Sequence, residues 1–411
     1  MLQAYRLQRG NPTLSYQDMK KNLGEPVSAV PRTRDAALSP SSWWLRSVVG
    51  THADGVAAVE AAFPAVARGR VADEQRSVPD FTEFDGYVPA AGPFLDPSTE
   101  QNVYSVTELE KAAECPFRFF LKKGLGVRPV DERERDRDVW LGPLTRGSEL
   151  HDVYAALLRR VRDEGRPPVP DEVVWLTEYA EQRLTRLNDE MPAPTQEALD
   201  RESRDFLADV ALFVESEVED CTRIPVGLEV SFGRPLQDAA EPLARPEPVV
   251  VSLGNAVTLR IAGRIDRINQ VGTATFEVLD YKTGGFWRDK WKGTFDGGKR
   301  LQHALYGLAA LELLKATHKK PTLKRGVYYF SSHKGRKEMV SIPAPSLAAI
   351  GDVLGDLRAV IVAGHFTRAT SVNTCTFCDF SAACGKVTNQ QAEAKLASPI
   401  AASFARLAAH A

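Results

Sequence analysis

The stretch VTLRIAGRIDRINQVGTATFEVLDYK, residues 257–282, decides the fold of this chain. Two runs rich in β-branched and aromatic residues, 257–269 and 273–282, flank a short turn that contains Gly272. Such runs joined by a short glycine-containing turn are typical of a β-hairpin. The sequence therefore predicts two antiparallel strands at the centre of the molecule.

The hairpin contains three charged residues that form a candidate site. Side chains two positions apart on a strand share a face, so Asp280 and Lys282 point the same way, and strand pairing brings Asp266 towards Asp280. Two carboxylates suit Mg²⁺ or Mn²⁺, which also bind phosphate oxygens. A lysine beside such a ligand orients water and stabilises charge on phosphate. An isolated D-x-K pattern is also found as an exposed ion pair, so the interpretation depends on the surrounding motifs.

Apolar spacing and capping signals predict helices on both sides of the hairpin. Ser105 and Glu108 form a capping box at the start of one of them. The predicted helices cover about 105–114, 116–123, 141–164, 172–221, 299–315 and 346–362, and further strands start near 228, 326 and 339. We therefore expect an α/β fold, a mixed sheet flanked by helices, with a helical insertion from about residue 166 to 224.

Composition divides the chain into three regions. Residues 1–98 are rich in Pro, Ala and Ser, 99–390 contain the periodic elements, and 391–411 form an Ala-rich tail. No phosphate-binding loop of an ATP motor is present in the sequence. The polar N-terminus and the lack of a long apolar run predict a cytoplasmic protein without a membrane span.

Charge is unevenly distributed although the net charge is only −2. Residues 171–220 contain 15 acidic and 4 basic residues, a net of −11, whereas 280–338 contain 14 basic and 5 acidic residues, a net of +9. Both stretches can be solvated helix faces, or the basic one can contact phosphates beside the site. The predicted DNA-binding residues are Arg288, Lys290, Lys292, Lys299 and Arg300.

Three of the five cysteines form a C-x₂-C-x₅-C motif made of Cys375, Cys378 and Cys384. Cys115 can supply a fourth thiolate, whereas Cys221 lies apart in the acidic stretch. In a reducing compartment this clustering indicates a metal centre rather than disulfides. Four thiolates suit either tetrahedral zinc or a [4Fe–4S] cluster, and the spacing leaves both open.

Several motifs together resemble the PD-(D/E)XK nuclease core, with the RecB-like exonucleases as the most similar branch. They are Gly147-Ser-Glu-Leu-His151, Gly263-Arg-Ile-Asp266-Arg-Ile, Leu279-Asp280-Tyr-Lys282-Thr, and Gln302 with Tyr306 one helical turn later. The resemblance implies a metal site made of His151, Asp266, Asp280 and the carbonyl of Tyr281. It also implies catalytic roles for Asp266, Asp280, Lys282, Gln302 and Tyr306, with the lysine as base or water-positioning group.

Two positions depart from this pattern or match it loosely. Ile265 stands where the family name has proline, and Glu229 matches a loosely placed glutamate of the family. His151 also fits an ordinary histidine of an amphipathic helix. Gln302 and Tyr306 also fit a hydrogen-bonded pair on one helix face.

The order of the cysteines around the core resembles the iron–sulfur nuclease domain of AddB and of CRISPR-associated single-strand exonucleases, over residues 103–386. This resemblance implies a [4Fe–4S] cluster on Cys115, Cys375, Cys378 and Cys384 that ties the two ends of the domain together. Closing so long a loop is entropically costly, so the expected role is structural.

The function that follows is a Mg²⁺- or Mn²⁺-dependent DNA nuclease, a single-strand exonuclease working in double-strand break repair and recombination. The resemblance implies an AddA-like helicase partner and makes residues 1–98 a remnant of an AddB-like body. Two alternatives remain open: a free-standing exonuclease that needs no motor, and a non-catalytic DNA-binding or assembly subunit that retains the fold.

Overall fold

The computed structural model forms two compact units, residues 1–75 and 76–411. The residues that it describes are 6–7, 9–15, 17–18, 33–34, 37, 39–51, 55–129, 138–236, 241–253, 257–376, 378–384 and 389–411. Helices α1 (Pro40–Thr51) and α2 (Gly55–Ala62) belong to the first unit, and α3 (Pro64–Ser77) crosses the boundary along the chain. In the first unit, the ring of Trp44 packs edge-on against Phe63.

The second unit alternates helices and strands. Its helices are α4 (Gly92–Leu95), α5 (Val106–Glu114), α6 (Pro116–Phe119), α7 (Pro143–Asp163), α8 (Glu172–Glu190), α9 (Gln196–Glu219), α10 (Gln302–Leu314), α11 (Leu347–Val362), α12 (Val372–Thr376), α13 (Asn389–Leu396) and α14 (Ala402–Ala408). Its strands are β1 (Val103–Ser105), β2 (Ile224–Phe232), β3 (Val249–Ser252), β4 (Thr258–Gly272), β5 (Thr275–Tyr281), β6 (Thr322–Tyr329) and β7 (Met339–Pro343). The described helices include none long and apolar enough to cross a membrane.

The seven strands form one mixed sheet in the order β1-β4-β5-β6-β7, with β2 and β3 also paired to β4. The pairs β1–β4 and β5–β6 are parallel, and β4–β5 and β6–β7 are antiparallel. The predicted α/β fold with a mixed sheet is confirmed, and β4 and β5 form the predicted hairpin.

Strand β4 changes its partners half-way along its length. Residues 260–262 pair with β1, whereas pairing with β5 begins only at Arg267. Between them, residues 263–265 pair with β2. Residue 266 therefore lies between the half of β4 that pairs with β1 and β3 and the half that pairs with β5. Asp266 lies at this exchange.

Helices cover the sheet with two apolar cores. One core contains α5, α10 and α11 together with β3 and β4, and the other joins α7, α8 and α9 to Leu228, Tyr281 and Tyr329. The helical insertion is two helices rather than one, because Pro192 and Pro194 interrupt the chain between α8 and α9. Thr195 caps the second, accepting the N–H of Ala198 through its side chain.

Segments at both ends of the second unit pack on its core. The unit begins at Arg76, and Asp96 accepts two hydrogen bonds from Arg358 on α11, at 2.8 and 2.7 Å. At the other end, Leu407 of α14 is fully buried in the first core. The segment 391–411 therefore contains packed helices and is not a free tail, since its apolar side chains have a surface to cover.

Candidate active site

Asp266 and Asp280 lie where β4 and β5 begin to part. The last main-chain pair of the two strands is Arg267 with Leu279. Beyond it, the strands are joined by a hydrogen bond to the side chain of Asp266. There the amide of Tyr281 donates to Oδ2 of Asp266 at 2.8 Å. This bond fixes the orientation of the Asp266 carboxylate and leaves its second oxygen directed into the cleft.

His151 approaches that second oxygen from helix α7. Its Nδ1 lies 3.5 Å from Oδ1 of Asp266 and 3.8 Å from Oε1 of Glu229. One turn earlier, a Cβ on Gly147 would lie 3.3 Å from the hydroxyl of Thr283, so glycine lets α7 approach the end of β5 closely. The glycine and the histidine of the predicted motif thus bring the helix and the ligand atom to the strand.

Glu229 completes a compact group of potential metal ligands. One ligand atom each from His151, Glu229 and Asp266 lies within 4.8 Å of the others. Glu229 lies between the pairs Leu228–Arg267 and Val230–Ile265 and has a positive φ of 51°. This conformation is costly for a residue other than glycine, by about 1–3 kcal/mol, and strain of this kind concentrates at functional sites.

The donor set fits a hard divalent cation. Oε1 of Glu229 is buried without a hydrogen-bond partner among the described residues, while the other oxygen of this carboxylate and Oδ2 of Asp280 face cations. Glu229 forms an ion pair with Arg264 at 2.8 Å, and Asp280 one with Lys282 at 2.5 Å. Carboxylate and imidazole donors together suit Mn²⁺ and, with water, Mg²⁺.

The carboxylates perturb each other and the imidazole. Burial raises the pKa of Glu229 to about 7, with a further contribution from Asp266. Burial also raises the pKa of Asp280, and Asp266 adds to the effect. Burial alone would lower the pKa of His151, but Asp266, Glu229 and Asp280 outweigh it and raise the pKa to about 9. The cleft therefore has an excess of negative charge that attracts cations.

Lys282 is held by two partners at the mouth of the cleft. Its Nζ forms the ion pair with Asp280 and donates to Oε1 of Gln302 at 2.8 Å, so the first residue of α10 orients the lysine. Tyr306, one turn further along α10, lies over β4, where a Cβ on Gly263 would come within 3.0 Å of its ring. The helix and the strand meet this closely because residue 263 has no side chain.

Comparison with known proteins decides the family. The model of the PD-(D/E)XK nuclease superfamily matches residues 103–385. The chain belongs to this superfamily. Residues 103–385 of this nuclease-family chain include both ends of the sheet, the helix with His151 and the four cysteines of the predicted metal centre.

Curated relatives of this nuclease-family chain are parts of larger enzymes. It is 27% identical over 244 residues to an ATP-dependent helicase/deoxyribonuclease subunit of Acetivibrio thermocellus, covering 56% of this chain and 20% of that one. The corresponding protein of Caldanaerobacter subterraneus subsp. tengcongensis is 25% identical over 225 residues, covering 52% and 17%. The corresponding protein of Ruminiclostridium cellulolyticum is 26% identical over 190 residues, covering 44% of this chain and 15% of that one. The matched region is thus at most about a fifth of these relatives.

Sequence reasoning missed one acidic residue of the nuclease site, Glu110. Its Oε1 accepts the N–H of Leu301 at 2.7 Å and that of Gln302 at 3.1 Å, so it caps the N-terminus of α10 from helix α5. Burial raises its pKa to about 7, and Asp280 raises it further while Lys282 opposes this. The sequence signal was weak, because Glu110 lies 191 residues from its partner.

The clustered cysteines come from both ends of the domain. Cys115 is buried between α5 and α6, and its sulfur accepts the N–H of Ala369 at 3.4 Å. The sulfur of Cys375 lies 3.7 Å from the carbonyl oxygen of Ala369. Burial raises the pKa of Cys384, and the nearby Cys115, Cys378 and Cys375 thiols raise it further. No three sulfurs of the described cysteines lie within 4.8 Å of each other, and Cys221 is exposed.

The predicted DNA-binding residues divide into two kinds. Arg288, Lys290, Lys292 and Lys299 are exposed on the segment between β5 and α10. Arg300 is buried, and its guanidinium donates to the carbonyls of residues 290, 292 and 293 at 2.8–3.2 Å. These bonds hold the guanidinium of Arg300 on the main chain of this segment, and a contact of Arg300 with DNA stays a prediction.

Proposed function

We propose that this chain is a divalent-metal-dependent nuclease that hydrolyses phosphodiester bonds of DNA, acting on single-stranded ends. The observation that carries the proposal is the convergence of three elements on one cleft. Helix α7 supplies His151, the β4–β5 hairpin supplies Asp266 and Asp280, and α10 orients Lys282. Membership of a nuclease superfamily supports the same chemistry.

His151, Glu229 and Asp266 would hold the metal, with Asp280 and the carbonyl of Tyr281 completing the set. This set adds Glu229 to the ligands that the sequence predicts. The compact group of three ligands contains Glu229 and does not contain Asp280. A bound Mg²⁺ or Mn²⁺ supplies Lewis-acid stabilisation of phosphate and lowers the pKa of its water. The protein fixes the ligands through the Tyr281 amide and the bend at Glu229.

The remaining polar groups of the cleft position the reactants. Lys282 presents a charged donor that Asp280 and Gln302 hold at the mouth, where it can orient water and stabilise charge on the phosphate oxygens. Water attacks phosphorus, one P–O ester bond breaks, and the leaving oxygen takes up a proton. Tyr306 packs beside Gly263, where burial and the nearby Asp280 and Asp266 carboxylates raise the pKa of its phenol.

We further propose that Cys115, Cys375, Cys378 and Cys384 bind a [4Fe–4S] cluster. The supporting observations are the bonds of Cys115 and Cys375 to Ala369 and the closeness of Cys115, Cys375 and Cys378 to Cys384, whose pKa they raise. A single zinc ion, with sulfurs about 2.3 Å from the metal, would require these sulfurs to move closer together. The cluster would join α5 to the segment after α11.

The names of the relatives support work beside an ATP-driven helicase. We propose double-strand break repair and recombination as the setting of this work. In this proposal the chain supplies the nuclease and an AddA-like partner supplies the motor. Residues 1–98 would belong to the surface that meets the rest of such a complex.

The deciding experiment is digestion of end-labelled single strands and matched duplexes by anaerobically purified protein. We expect cleavage of the single strand with Mg²⁺ or Mn²⁺ and none with EDTA. Binding without cleavage under both metals would favour the non-catalytic alternative. Co-purification of a helicase from the native host separates a component of a helicase complex from a free-standing exonuclease.

A further inference from the structure

An exposed tryptophan, Trp287, lies in the segment 284–292, GGFWRDKWK, which follows Lys282 along the chain. The side chain of Trp287 is 60% exposed, which is unusual for so large an apolar group. Trp287 follows Lys282 by five residues, so the Cα atoms of the two residues lie no more than about 18 Å apart. It belongs to no apolar core among the described residues.

The segment is rigid because its other aromatic side chains are anchored. The ring of Phe286 packs at 5.0 Å from Phe330, and the ring of Trp291 packs at 4.8 Å from Tyr328. Arg300 stacks on Trp291, 4.6 Å from its centroid, while its guanidinium holds three main-chain carbonyls of the segment. The exposed indole is therefore presented by a fixed backbone.

The indole itself is oriented by its neighbours. Its six-membered ring lies over Gly285, where a Cβ would come within 2.8 Å of Cη2. The Nζ of Lys290 lies 5.0 Å from the ring centroid, and the amide of Lys290 donates to the carbonyl of Trp287 at 2.9 Å. Such contacts attract the cation to the ring and leave much of the indole surface open to solvent.

Positive charge surrounds this exposed ring. Arg288, Lys290 and Lys292 are all exposed within five residues, and only Lys292 has an acidic partner in the described structure, Asp289 at 2.9 Å. An exposed pair of this kind contributes little and is easily exchanged for another anion. An aromatic face amid cations is the arrangement with which proteins bind unpaired nucleic acid, through base stacking and phosphate contacts.

We propose that Trp287 is a stacking site for an unpaired nucleobase and gives the nuclease its selectivity for single strands. The inference rests on the proposed function, because it places the base next to the cleft that cuts the backbone. Bases in a duplex interior stack on each other and are not open to the indole. The site thus binds a base of any identity, provided that it is unpaired.

The test compares two single-stranded oligonucleotides of equal length and charge, a thymidine homopolymer and one with abasic sites in its place. Binding is measured with Ca²⁺ in place of the catalytic metal, by fluorescence anisotropy of an end label. We expect the wild type to bind the thymidine strand about tenfold more tightly than the abasic strand. Trp287→Ala should lose this preference, and Trp287→Phe should keep most of it.

Two controls separate stacking from charge and from misfolding. Trp287→Ala should leave the salt dependence of binding and the affinity for a blunt duplex unchanged, because neither depends on an unpaired base. Phe94→Ala, which removes another aromatic side chain that is 80% exposed, should keep the full preference. The thermal unfolding midpoint of each variant should equal that of the wild type.

Equal affinity of the wild type for the two strands overturns the proposal without any variant. So does a folded Trp287→Ala protein that keeps the preference. Failure of the proposed function gives a different result: a protein that prefers the thymidine strand through Trp287 but cleaves nothing with Mg²⁺ or Mn²⁺.

Discussion

The main-chain amide of Tyr281 donates to Oδ2 of Asp266 across the two strands of the hairpin, at 2.8 Å. This hydrogen bond continues the ladder by one step after the main-chain pairing of β4 and β5 has ended at Arg267 and Leu279. It leaves Oδ1 of Asp266 as the oxygen that faces His151. The orientation of the Asp266 carboxylate is therefore fixed by its own hairpin.

Asp280→Ala and Lys282→Ala should each abolish cleavage. Loss of a ligand carboxylate or of the charge beside the phosphate removes several kcal/mol of transition-state stabilisation, on the order of 10³-fold or more in rate. Single-turnover digestion with Mn²⁺ measures the rate, and circular dichroism checks the fold. Wild-type rates in Asp280→Ala would show that the site lies elsewhere.

Glu229→Gln should weaken metal binding while leaving the fold intact. Glutamine retains the shape of the side chain but removes the charge that lies 3.8 Å from His151. We expect the Mn²⁺ dissociation constant from calorimetry to rise roughly tenfold or more. Glu164→Gln, an exposed glutamate after the end of α7, is the matched control. Unchanged affinity in Glu229→Gln would remove this residue from the ligand set.

Glu110→Ala should lower kcat more than it changes KM. Without this carboxylate the first turn of α10 loses its cap, so Gln302 no longer holds Lys282 in place. Small displacements of a positioned group cost up to about 10²-fold in rate. Glu110→Gln retains an acceptor oxygen and should recover most of the activity. Equal kcat in Glu110→Ala and the wild type, with both proteins folded, would reduce Glu110 to a structural cap.

Replacing Arg288, Lys290 and Lys292 together by serine should flatten the salt dependence of DNA binding. Each phosphate contact contributes about −0.7 to the log–log slope for single strands. The matched control replaces Lys319, Lys320 and Lys324, exposed lysines of the same basic stretch at the opposite end of β5 and β6. If both triple variants change the slope equally, attraction is a property of the net charge and not of this segment.

Replacing any of Cys115, Cys375, Cys378 and Cys384 by serine should destabilise the nuclease unit. A cluster bound to ligands that meet only on folding contributes directly to folding free energy. We expect the thermal midpoint to fall by roughly 5–10 °C and protease sensitivity to rise, with activity lost as a consequence.

Two observations test the chemistry of that centre. Anaerobically purified wild-type protein should be brown if the centre is a [4Fe–4S] cluster. A colourless protein with one zinc would mean that the four cysteines bind zinc in place of the cluster. Cys221→Ser should have no effect, since this cysteine is exposed and lies apart. A Cys115→Ser protein that is folded, brown and active would refute the proposal that the metal centre joins α5 to the segment after α11.

The sequence by itself determined the hairpin, the capped helix α5 and the order of the motifs around them. Strand alternation, turn composition and capping are set by neighbouring residues, so they can be read without tertiary structure. The same local rules placed Asp280 and Lys282 on one face. They also indicated that helix α7 carries a histidine close to a glycine that favours close packing.

Only the tertiary structure decided which distant residues join these elements. Glu229 reaches the site because β2 pairs with β4 and residue 229 has a positive φ. Glu110 reaches it because α5 packs against the start of α10. The basic stretch was one block in the sequence, yet β6 runs parallel to β5, so Lys319, Lys320 and Lys324 lie at the end of these strands opposite to Lys282. Arg300, in the same stretch, is buried. Burial and strand register arise from packing between distant segments, which composition and spacing along the chain do not encode.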